Sequence, residues 1–233
     1  MFTLPLHDLW FPDFLTFGPG LPSSVSRLYL CPVKKIAVFA SGAGSNAEKI
    51  IRYFTSASQP PFPGEGEEQT PEIEVALIVC NNPAAGVLKI AAKENIPSLL
   101  LEKEKFFKGD GYVNELKEKE IDLVVLAGFL WKIPALLIHA FPGRIINIHP
   151  ALLPGYGGKG MYGQYVHQAV IHNKEKQSGV TIHYVDELYD HGKTIFQVTC
   201  PVLENDTAAS LALRIAELEH EHYPVIIEQL LTK

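Results

Sequence analysis

The sequence predicts an α/β fold, a doubly wound and mostly parallel sheet with helices on both faces. Short apolar runs typical of buried strands recur along the chain, and stretches with the 3.6-residue period of amphipathic helices alternate with them. Such alternation favours a parallel sheet, because each helix that connects two strands packs back onto the sheet. Mixed or antiparallel strands near the C-terminus complete the prediction.

Four early runs have the length and composition of buried strands, at residues 36–40, 75–80, 122–127 and 144–148. Apolar residues at helical spacing accompany them. These residues are Ala47, Ile50, Ile51 and Phe54, then Val87, Ile90 and Ala91, then Val166, Ala169 and Val170. The repeated order of strand and helix is typical of a Rossmann-like fold.

The pattern changes after Gln177. Residues 180–185 and 194–200 read as two further strands, joined by a turn-like Tyr-Asp-His-Gly, and we expect them to add mixed or antiparallel pairing. A last helix is expected from Asp206, which is a suitable N-cap. Pro224 should break or restart this helix, because proline lacks the N–H that an interior helical position donates.

Length and composition indicate a single domain over residues 35–233. The chain has 233 residues, 47% of them hydrophobic, which suffices for one large core. Residues 1–34 carry scattered aromatic residues without a lasting period, so we expect an irregular N-terminal extension. Residues 56–71 are rich in Pro, Gly and Glu and are expected to form an exposed loop.

Charge and cysteine content narrow the classes of function. The net charge of −6 argues against binding to nucleic acid or to an anionic membrane. Three widely spaced cysteines match neither a disulfide framework nor a zinc motif, and we expect no metal site. The sequence contains neither an apolar run of the ~20 residues that a membrane helix needs nor a basic secretory leader. We expect a cytoplasmic protein with small-molecule partners.

A glycine-rich segment, Ser-Gly-Ala-Gly-Ser-Asn at residues 41–46, lies between the first predicted strand and the first predicted helix. Glycine lets the backbone approach a ligand closely, and the free N–H groups of a helix N-terminus bind phosphate. The segment lacks the Gly-Lys-Ser/Thr ending of a P-loop, so a mononucleotide phosphate is the preferred ligand. The alternative is a tight strand-to-helix turn that binds nothing.

Asn147 and His149 end a predicted central strand. Because strand side chains alternate between faces, the two should project from one face about 7 Å apart, at the edge where α/β sheets bind ligands. A carboxamide can donate to a developing oxyanion, and an imidazole can transfer a proton near neutral pH. The alternative is a structural pair that bonds to backbone.

Three further polar features accompany this pair. Thr181 and His183 share one face of a late strand, which suggests that they line a cleft. Asp190 lies in an acidic turn and is either solvated or directed at an imidazole. Glu219 continues the apolar stripe of the last helix, where a carboxylate either extends to solvent or helps line a site.

From about Lys35 to Leu231 the sequence resembles the glycinamide ribonucleotide transformylases, also called phosphoribosylglycinamide formyltransferases. Several motifs in that family's order carry the resemblance, and they lie at residues 41–46, 126–129, 147–154, 185–188, 219–220 and 223–224. The resemblance implies transfer of a formyl group from 10-formyltetrahydrofolate to the amine of glycinamide ribonucleotide, in purine biosynthesis. We expect a monomer or a homodimer.

The resemblance also implies roles for particular residues. The catalytic positions fall on Asn147, His149 and Asp190. From the strand pattern, and not from the resemblance, we expect Thr181 and His183 to lie behind them. The acceptor site falls on Gly44, Ser45, Asn46 and Glu219, and the folate site on Phe129, Leu130, Trp131, Lys132, Ile133, Asp186 and Glu187. The implied mechanism is direct attack by the amine, with the oxyanion of a tetrahedral intermediate held by Asn147 and a protonated His149, which Asp190 favours.

Departures from the family's pattern are a longer, glycine-rich loop at residues 155–163 and Trp131-Lys132 in place of the more frequent Arg-Ile. Three other functions would share part of this pattern. A methionyl-tRNA formyltransferase normally adds a C-terminal RNA-binding domain, and a formyltetrahydrofolate hydrolase adds a regulatory N-terminal domain. A non-catalytic mononucleotide-binding module would need only the glycine-rich segment and none of the Asn, His and Asp constellation.

Overall fold

The computed structural model describes residues 33–57 and 73–232. Within these ranges the strands are β1 (Lys34–Phe39), β2 (Ile73–Cys80), β3 (Ser98–Leu100), β4 (Leu123–Leu126), β5 (Ile145–His149), β6 (Gln177–Tyr184) and β7 (Thr194–Pro201). The helices are α1 (Ser45–Ala57), α2 (Gly86–Lys93), α3 (Lys103–Lys108), α4 (Val113–Glu118), α5 (Ala135–Ala140), α6 (Gln164–His172) and α7 (Ala208–Leu231).

The strands form one mixed sheet in the order β3-β2-β1-β4-β5-β6-β7. Neighbours from β3 to β5 pair in parallel, whereas β6 pairs antiparallel with β5, and β7 antiparallel with β6. This arrangement confirms the predicted fold class. The strand order reverses between β1 and β4, which makes this position the topological switch point of the sheet. Open α/β sheets bind ligands beyond the carboxyl ends of the strands at such a point.

The sheet separates two apolar cores. On β1, Ile36 and Val38 face the core formed with α1, α2, α6 and α7, while Ala37 and Phe39 face the core formed with α3, α4 and α5. Successive strand residues point to opposite faces, so a strand buried on both sides is apolar throughout. The predicted coverage of both faces is therefore confirmed.

Four short elements were not predicted, namely β3, α3, α4 and α5. β3 has three residues, and each of the three helices has six. Elements of this length complete fewer than two helical turns or two strand periods, so hydrophobic periodicity does not reveal them.

The last helix begins and continues differently from the prediction. Its N-cap is Thr207, whose side chain accepts from the backbone N–H of Ser210, so the prediction of Asp206 as the cap is wrong. Asp206 instead pairs with Arg214 at 2.6 Å. The helix also runs through Pro224, which is buried. Packing of the buried helix face outweighs the one hydrogen bond that proline removes.

Other predictions concern residues that the structure does not describe. The N-terminal extension, residues 1–34, lies outside the described residues except for its last two positions. α1 continues through Ala57, so the loop predicted from residue 56 starts later, and residues 58–71 of that loop also lie outside. None of the helices in residues 33–57 and 73–232 is long and apolar enough to cross a membrane.

Candidate active site

A cavity of about 880 Å³ opens at the carboxyl ends of β1, β4 and β5. Its volume lies within the range of small-molecule sites. The predicted site residues in its wall are Asn46, Phe129, Leu130, Trp131, Lys132, Ile133, Asn147, His149, His183, Asp186, Asp190 and Glu219. Gly44, Ser45, Thr181 and Glu187 were also predicted for the site and lie outside this wall.

β5 brings two polar side chains to the cavity. Asn147 and His149 are two residues apart and pair with His183 and Thr181 on β6. Asp190 comes from the connection between β6 and β7, where it adopts a left-handed φ of 53°. Its Oδ2 lies 3.7 Å from His149 Nδ1. An amide, an imidazole and a carboxylate from separate segments therefore meet at one point of the cavity.

A backbone carbonyl fixes the orientation of His149. The Tyr156 oxygen lies 2.8 Å from Nε2, and because a carbonyl only accepts, Nε2 carries the proton. Nδ1 then holds the lone pair of the neutral ring and faces Asp190. The ring is 3% exposed, and burial lowers the pKa of His149, which the Asp190 carboxylate offsets only in part. The resting ring is therefore neutral at neutral pH, and the protonated state predicted for the intermediate requires that the ring first accepts a proton.

Asp190 is held as an anion at the edge of the same cluster. Burial by itself raises the pKa of its carboxyl. The hydrogen bond from the Gly158 backbone N–H opposes this effect, as do the His183 and His149 rings when they are protonated, so the pKa is lowered. The Gly158 N–H donates to Oδ2 at 2.9 Å. The cluster therefore combines a neutral base with a fixed negative charge.

The Asn147 amide bridges His183 and Asp190. His183 Nδ1 lies 2.8 Å from the Tyr184 carbonyl and must donate to it, so Nε2 accepts from Asn147 Nδ2 at 3.1 Å. Asn147 Nδ2 also donates to Asp190 Oδ1 at 3.4 Å, which is the weaker of the two bonds. An oxyanion can take that second hydrogen. His183 thus contacts Asn147 directly at the cavity wall.

Thr181 supports the turn that follows β5. Its hydroxyl donates to the Ala151 carbonyl at 2.6 Å and accepts from the Leu153 N–H at 3.0 Å and from Gln197 Nε2 at 2.8 Å. Thr181 is fully buried, so these bonds have no competition from water. It holds the backbone next to His149 without lining the cavity, so the expectation that Thr181 lines a cleft is not met.

The last residue before α1 in the glycine-rich segment has a left-handed backbone conformation. Gly44 has φ of 86°, and a Cβ there would come within 2.8 Å of Val87 Cβ. Ser45 is the first helical residue, and the first N–H groups of a helix have no partner within it. Gly42 and Asn46 line the cavity, whereas Gly44 and Ser45 lie between them in sequence and are not part of its wall.

Asn46 and Glu219 join the two sides of this end of the cavity. Asn46 Nδ2 donates to Glu219 Oε2 at 2.8 Å across α1 and α7. Burial raises the pKa of the Glu219 carboxyl, and the bond from Asn46 offsets this only in part. Glu219 is half-buried in the cavity wall, where Asn46 bonds its carboxylate, so the structure favours the cavity-lining alternative over extension to solvent.

The segment after β4 supplies an aromatic wall. Trp131 lies 5.6 Å from Phe106 and 5.4 Å from Phe107, measured between ring centroids. The Leu130 N–H donates to Ser41 Oγ at 2.9 Å, which ties this wall to the glycine-rich segment. Phe129 and Trp131 line the cavity, and aromatic walls of this kind suit a flat heteroaromatic ligand.

In the acidic loop before Asp190, one carboxylate lines the cavity and another points to solvent. Asp186 lines the cavity and accepts from the Leu188 N–H at 2.9 Å. Glu187 turns outward and contacts His139 Nε2 at 3.0 Å. The prediction that Glu187 lines the folate pocket is therefore wrong, because the turn points adjacent side chains in different directions.

Sequence reasoning missed one cavity residue of interest. His167 on α6 lines the cavity, is 5% exposed, and has an Nδ1 without a hydrogen-bond partner among the described residues. Burial lowers the pKa of His167, and the nearby His149 lowers it further. Its position beside the apolar stripe at Val166 and Val170 was the available signal, but the stripe alone does not distinguish core from cavity.

Comparison with known proteins agrees with this geometry. A family model described as formyl transferase matches residues 34–227. The chain is 37% identical to phosphoribosylglycinamide formyltransferase of Bacillus subtilis, over 85% of the chain and 95% of that protein. The crystal structure of phosphoribosylglycinamide formyltransferase from Bacillus halodurans superimposes with a TM-score of 0.73 at 38% identity, covering 86% of the chain and 96% of that structure.

Two plant relatives are longer than the matched region. The chain is 41% identical to a protein of Arabidopsis thaliana named phosphoribosylglycinamide formyltransferase, chloroplastic, over 83% of the chain. It spans 64% of that relative's length and 61% of the length of the corresponding Vigna unguiculata protein.

Proposed function

The chain belongs to the formyl transferase family, and on that premise we propose that it transfers the formyl group of 10-formyltetrahydrofolate to the amine of glycinamide ribonucleotide. One observation carries the proposal. Asn147, His149 and Asp190 converge in a cavity that extends from the aromatic wall at Trp131 to the N-terminus of α1. A donor and an acceptor can therefore meet at the same three side chains. The names of the relatives support this choice of substrates.

The reaction begins with attack of the acceptor's amine on the formyl carbon. A carbon–nitrogen bond forms and the formyl oxygen becomes an oxyanion. Asn147 donates to this oxygen with the hydrogen that it directs at Asp190 in the resting site. Preorganised donors of this kind stabilise a tetrahedral intermediate, and the loss of one typically slows a reaction by about 100- to 1000-fold.

His149 carries out the proton transfer. The neutral ring accepts the proton of the attacking amine at Nδ1, where Asp190 stabilises the imidazolium that results. The proton then passes to the departing folate nitrogen, directly or through a water, as the bond between that nitrogen and the formyl carbon breaks. His149 returns to its neutral state and no net proton is gained or lost by the enzyme.

The two ends of the cavity suit the two substrates. The residues from Phe129 to Ile133 offer an apolar wall for the flat ring of the folate, and Asp186 offers a carboxylate for its polar edge. At the other end, the free N–H groups at the start of α1 attract the ribonucleotide phosphate, and Asn46 with Glu219 is placed to bond ribose hydroxyls. No step of this scheme requires a metal ion.

A formyl-transfer assay tests the proposal. Purified protein and 10-formyltetrahydrofolate are incubated with glycinamide ribonucleotide, with an uncharged or methionyl tRNA, or without acceptor, and the released folate is followed. We expect release that depends on glycinamide ribonucleotide. Release that requires methionyl-tRNA would instead indicate a tRNA formyltransferase, and release without acceptor a hydrolase. Binding of the ribonucleotide without any release would support the non-catalytic module.

Three broader properties belong to the same proposal. We expect residues 35–233 to act as a single domain, the protein to be a monomer or a homodimer, and its location to be cytoplasmic. Light scattering on the purified full chain measures the oligomeric state. A fluorescent fusion at the C-terminus tests the location, and accumulation in an organelle would contradict it. The test is worthwhile because the names of the two plant relatives describe them as chloroplastic.

A further inference from the structure

The turn after β5 contains a non-glycine residue in a left-handed conformation. Tyr156 has φ of 58°, a left-handed region that residues with a Cβ rarely adopt. Such a conformation persists only where surrounding contacts hold it. The contacts of Tyr156 therefore show which interactions hold the turn in this conformation.

The Tyr156 side chain is anchored at the far end of α6. Its hydroxyl donates to Glu175 Oε1 at 2.6 Å and accepts from Asn173 Nδ2 at 3.0 Å. Both partners lie in the connection between α6 and β6, and the Glu175 N–H is itself bonded to the Val170 carbonyl at 3.2 Å. The phenol is thus bonded on two sides to a segment that is separate from the turn that carries it.

The backbone of the same residue contacts the catalytic centre. The Tyr156 carbonyl accepts from His149 Nε2 at 2.8 Å. With Nε2 occupied in this way, Nδ1 is the nitrogen that faces Asp190 and the cavity. Rotation of the ring by half a turn about its χ2 axis would exchange the two edges, and the carbonyl opposes that rotation.

We propose that Tyr156 is a positioning residue, whose hydroxyl, bonded to Glu175 and Asn173, holds its carbonyl against Nε2 of His149 and so keeps Nδ1 directed at the reacting amine. The kinetic consequences rest on the proposed function. The assignment of the proton to Nε2 does not, because it concerns the resting protein. Tyr156 itself need not touch either substrate.

The first test compares two tyrosine-to-phenylalanine variants. Tyr156→Phe removes the anchoring hydroxyl and keeps the ring. Tyr53→Phe is a matched control, because the Tyr53 hydroxyl also donates to a carboxylate at 2.6 Å, that of Glu228, and this bond joins α1 to α7 outside the cavity wall. Nitrogen-15 NMR of the histidine side chains, with His149 assigned by its loss in His149→Gln, reports which ring nitrogen carries the proton.

We expect His149 of the wild type and of Tyr53→Phe to carry its proton on Nε2, and Tyr156→Phe to show a mixture of both tautomers. Tyr156→Phe should lower kcat on the order of tenfold, as expected for loss of a hydrogen bond to a charged partner, with little change in KM. A wild-type ring with its proton on Nδ1 would overturn the proposal, as would a Tyr156→Phe variant that matches Tyr53→Phe in both tautomer and kcat.

A double variant separates positioning from general stability. Glu175→Ala should lower kcat by no more than Tyr156→Phe does, because Asn173 still bonds the hydroxyl, and the double variant should lose no more than Tyr156→Phe alone. Additive losses would contradict the proposal. If the wild type shows the Nε2 proton but no formyl transfer, the proposed function fails and the positioning of His149 stands.

Discussion

His149 Nδ1 lies 3.7 Å from Asp190 Oδ2, while Nε2 of the same ring donates to the Tyr156 carbonyl. The separation is longer than a hydrogen bond, which agrees with a neutral ring whose lone pair faces the carboxylate. Once Nδ1 accepts a proton, the same two atoms form an ion pair. The resting geometry is therefore suited to proton acceptance.

The pH dependence of the reaction should report the His149 pKa. Burial lowers this pKa below its usual 6.5, and the reaction needs the unprotonated ring, so activity should be lost only as pH falls through an acidic inflection. The measurement is kcat/KM for the ribonucleotide between pH 4.5 and 8. An increase in kcat/KM that begins only at a pH above the usual histidine pKa would contradict a neutral resting ring.

Replacement of His149 should remove proton transfer and leave the fold. We expect His149→Gln to lower kcat by about 100- to 10,000-fold, which is the usual range for general acid–base catalysis. Circular dichroism and binding of the folate serve as controls for folding. A rate close to that of the wild type would refute the role of this ring.

Asp190→Asn should affect the same step through charge. Without the carboxylate, the pKa of His149 should fall further, because Asp190 is a group that raises it. We expect kcat to drop on the order of 100-fold and the acidic inflection of the pH profile to shift to lower pH. An inflection that stays in place would mean that Asp190 does not act on His149.

Glu219→Gln tests both the acceptor site and the cost of a buried carboxyl. Because burial raises the folded-state pKa of Glu219, its contribution to stability is fully present below the unfolded pKa and is lost as pH rises through the folded pKa. The melting temperature of Glu219→Gln minus that of the wild type should therefore increase as pH rises from 4 to 8. In the transfer assay, KM for the ribonucleotide should rise more than kcat falls. A pH-independent difference in melting temperature would contradict the buried carboxyl.

Gly44→Ala should destabilise the entry to α1. The added Cβ would meet Val87 in a left-handed conformation, and we expect a loss of about 1 to 3 kcal/mol in the free energy of unfolding. Gly42→Ala is the control for stability, since its Cβ would meet nothing within 4 Å. Denaturant unfolding of both variants decides the matter, and equal stability would contradict the strain at Gly44.

Much of the fold followed from local pattern. The strand at Ile36 and the helix stripe at Ile50 were visible because apolar periodicity is a local property of the chain. The three-residue β3 was invisible for the converse reason. The helix that continues through Pro224 was also misjudged, since the burial of Tyr223 and Ile227 against the sheet is a tertiary effect.

The sequence by itself determined which chemical groups are available: an amide and an imidazole two residues apart on β5, a carboxylate in a later turn, and a glycine-rich helix entry. Only the tertiary structure decided the state and direction of those groups. The burial that keeps His149 neutral, the carbonyl of Tyr156 that orients it, and the outward turn of Glu187 depend on segments that are distant in sequence. Desolvation and hydrogen-bond direction are properties of the packed site, and residue identity does not encode them locally.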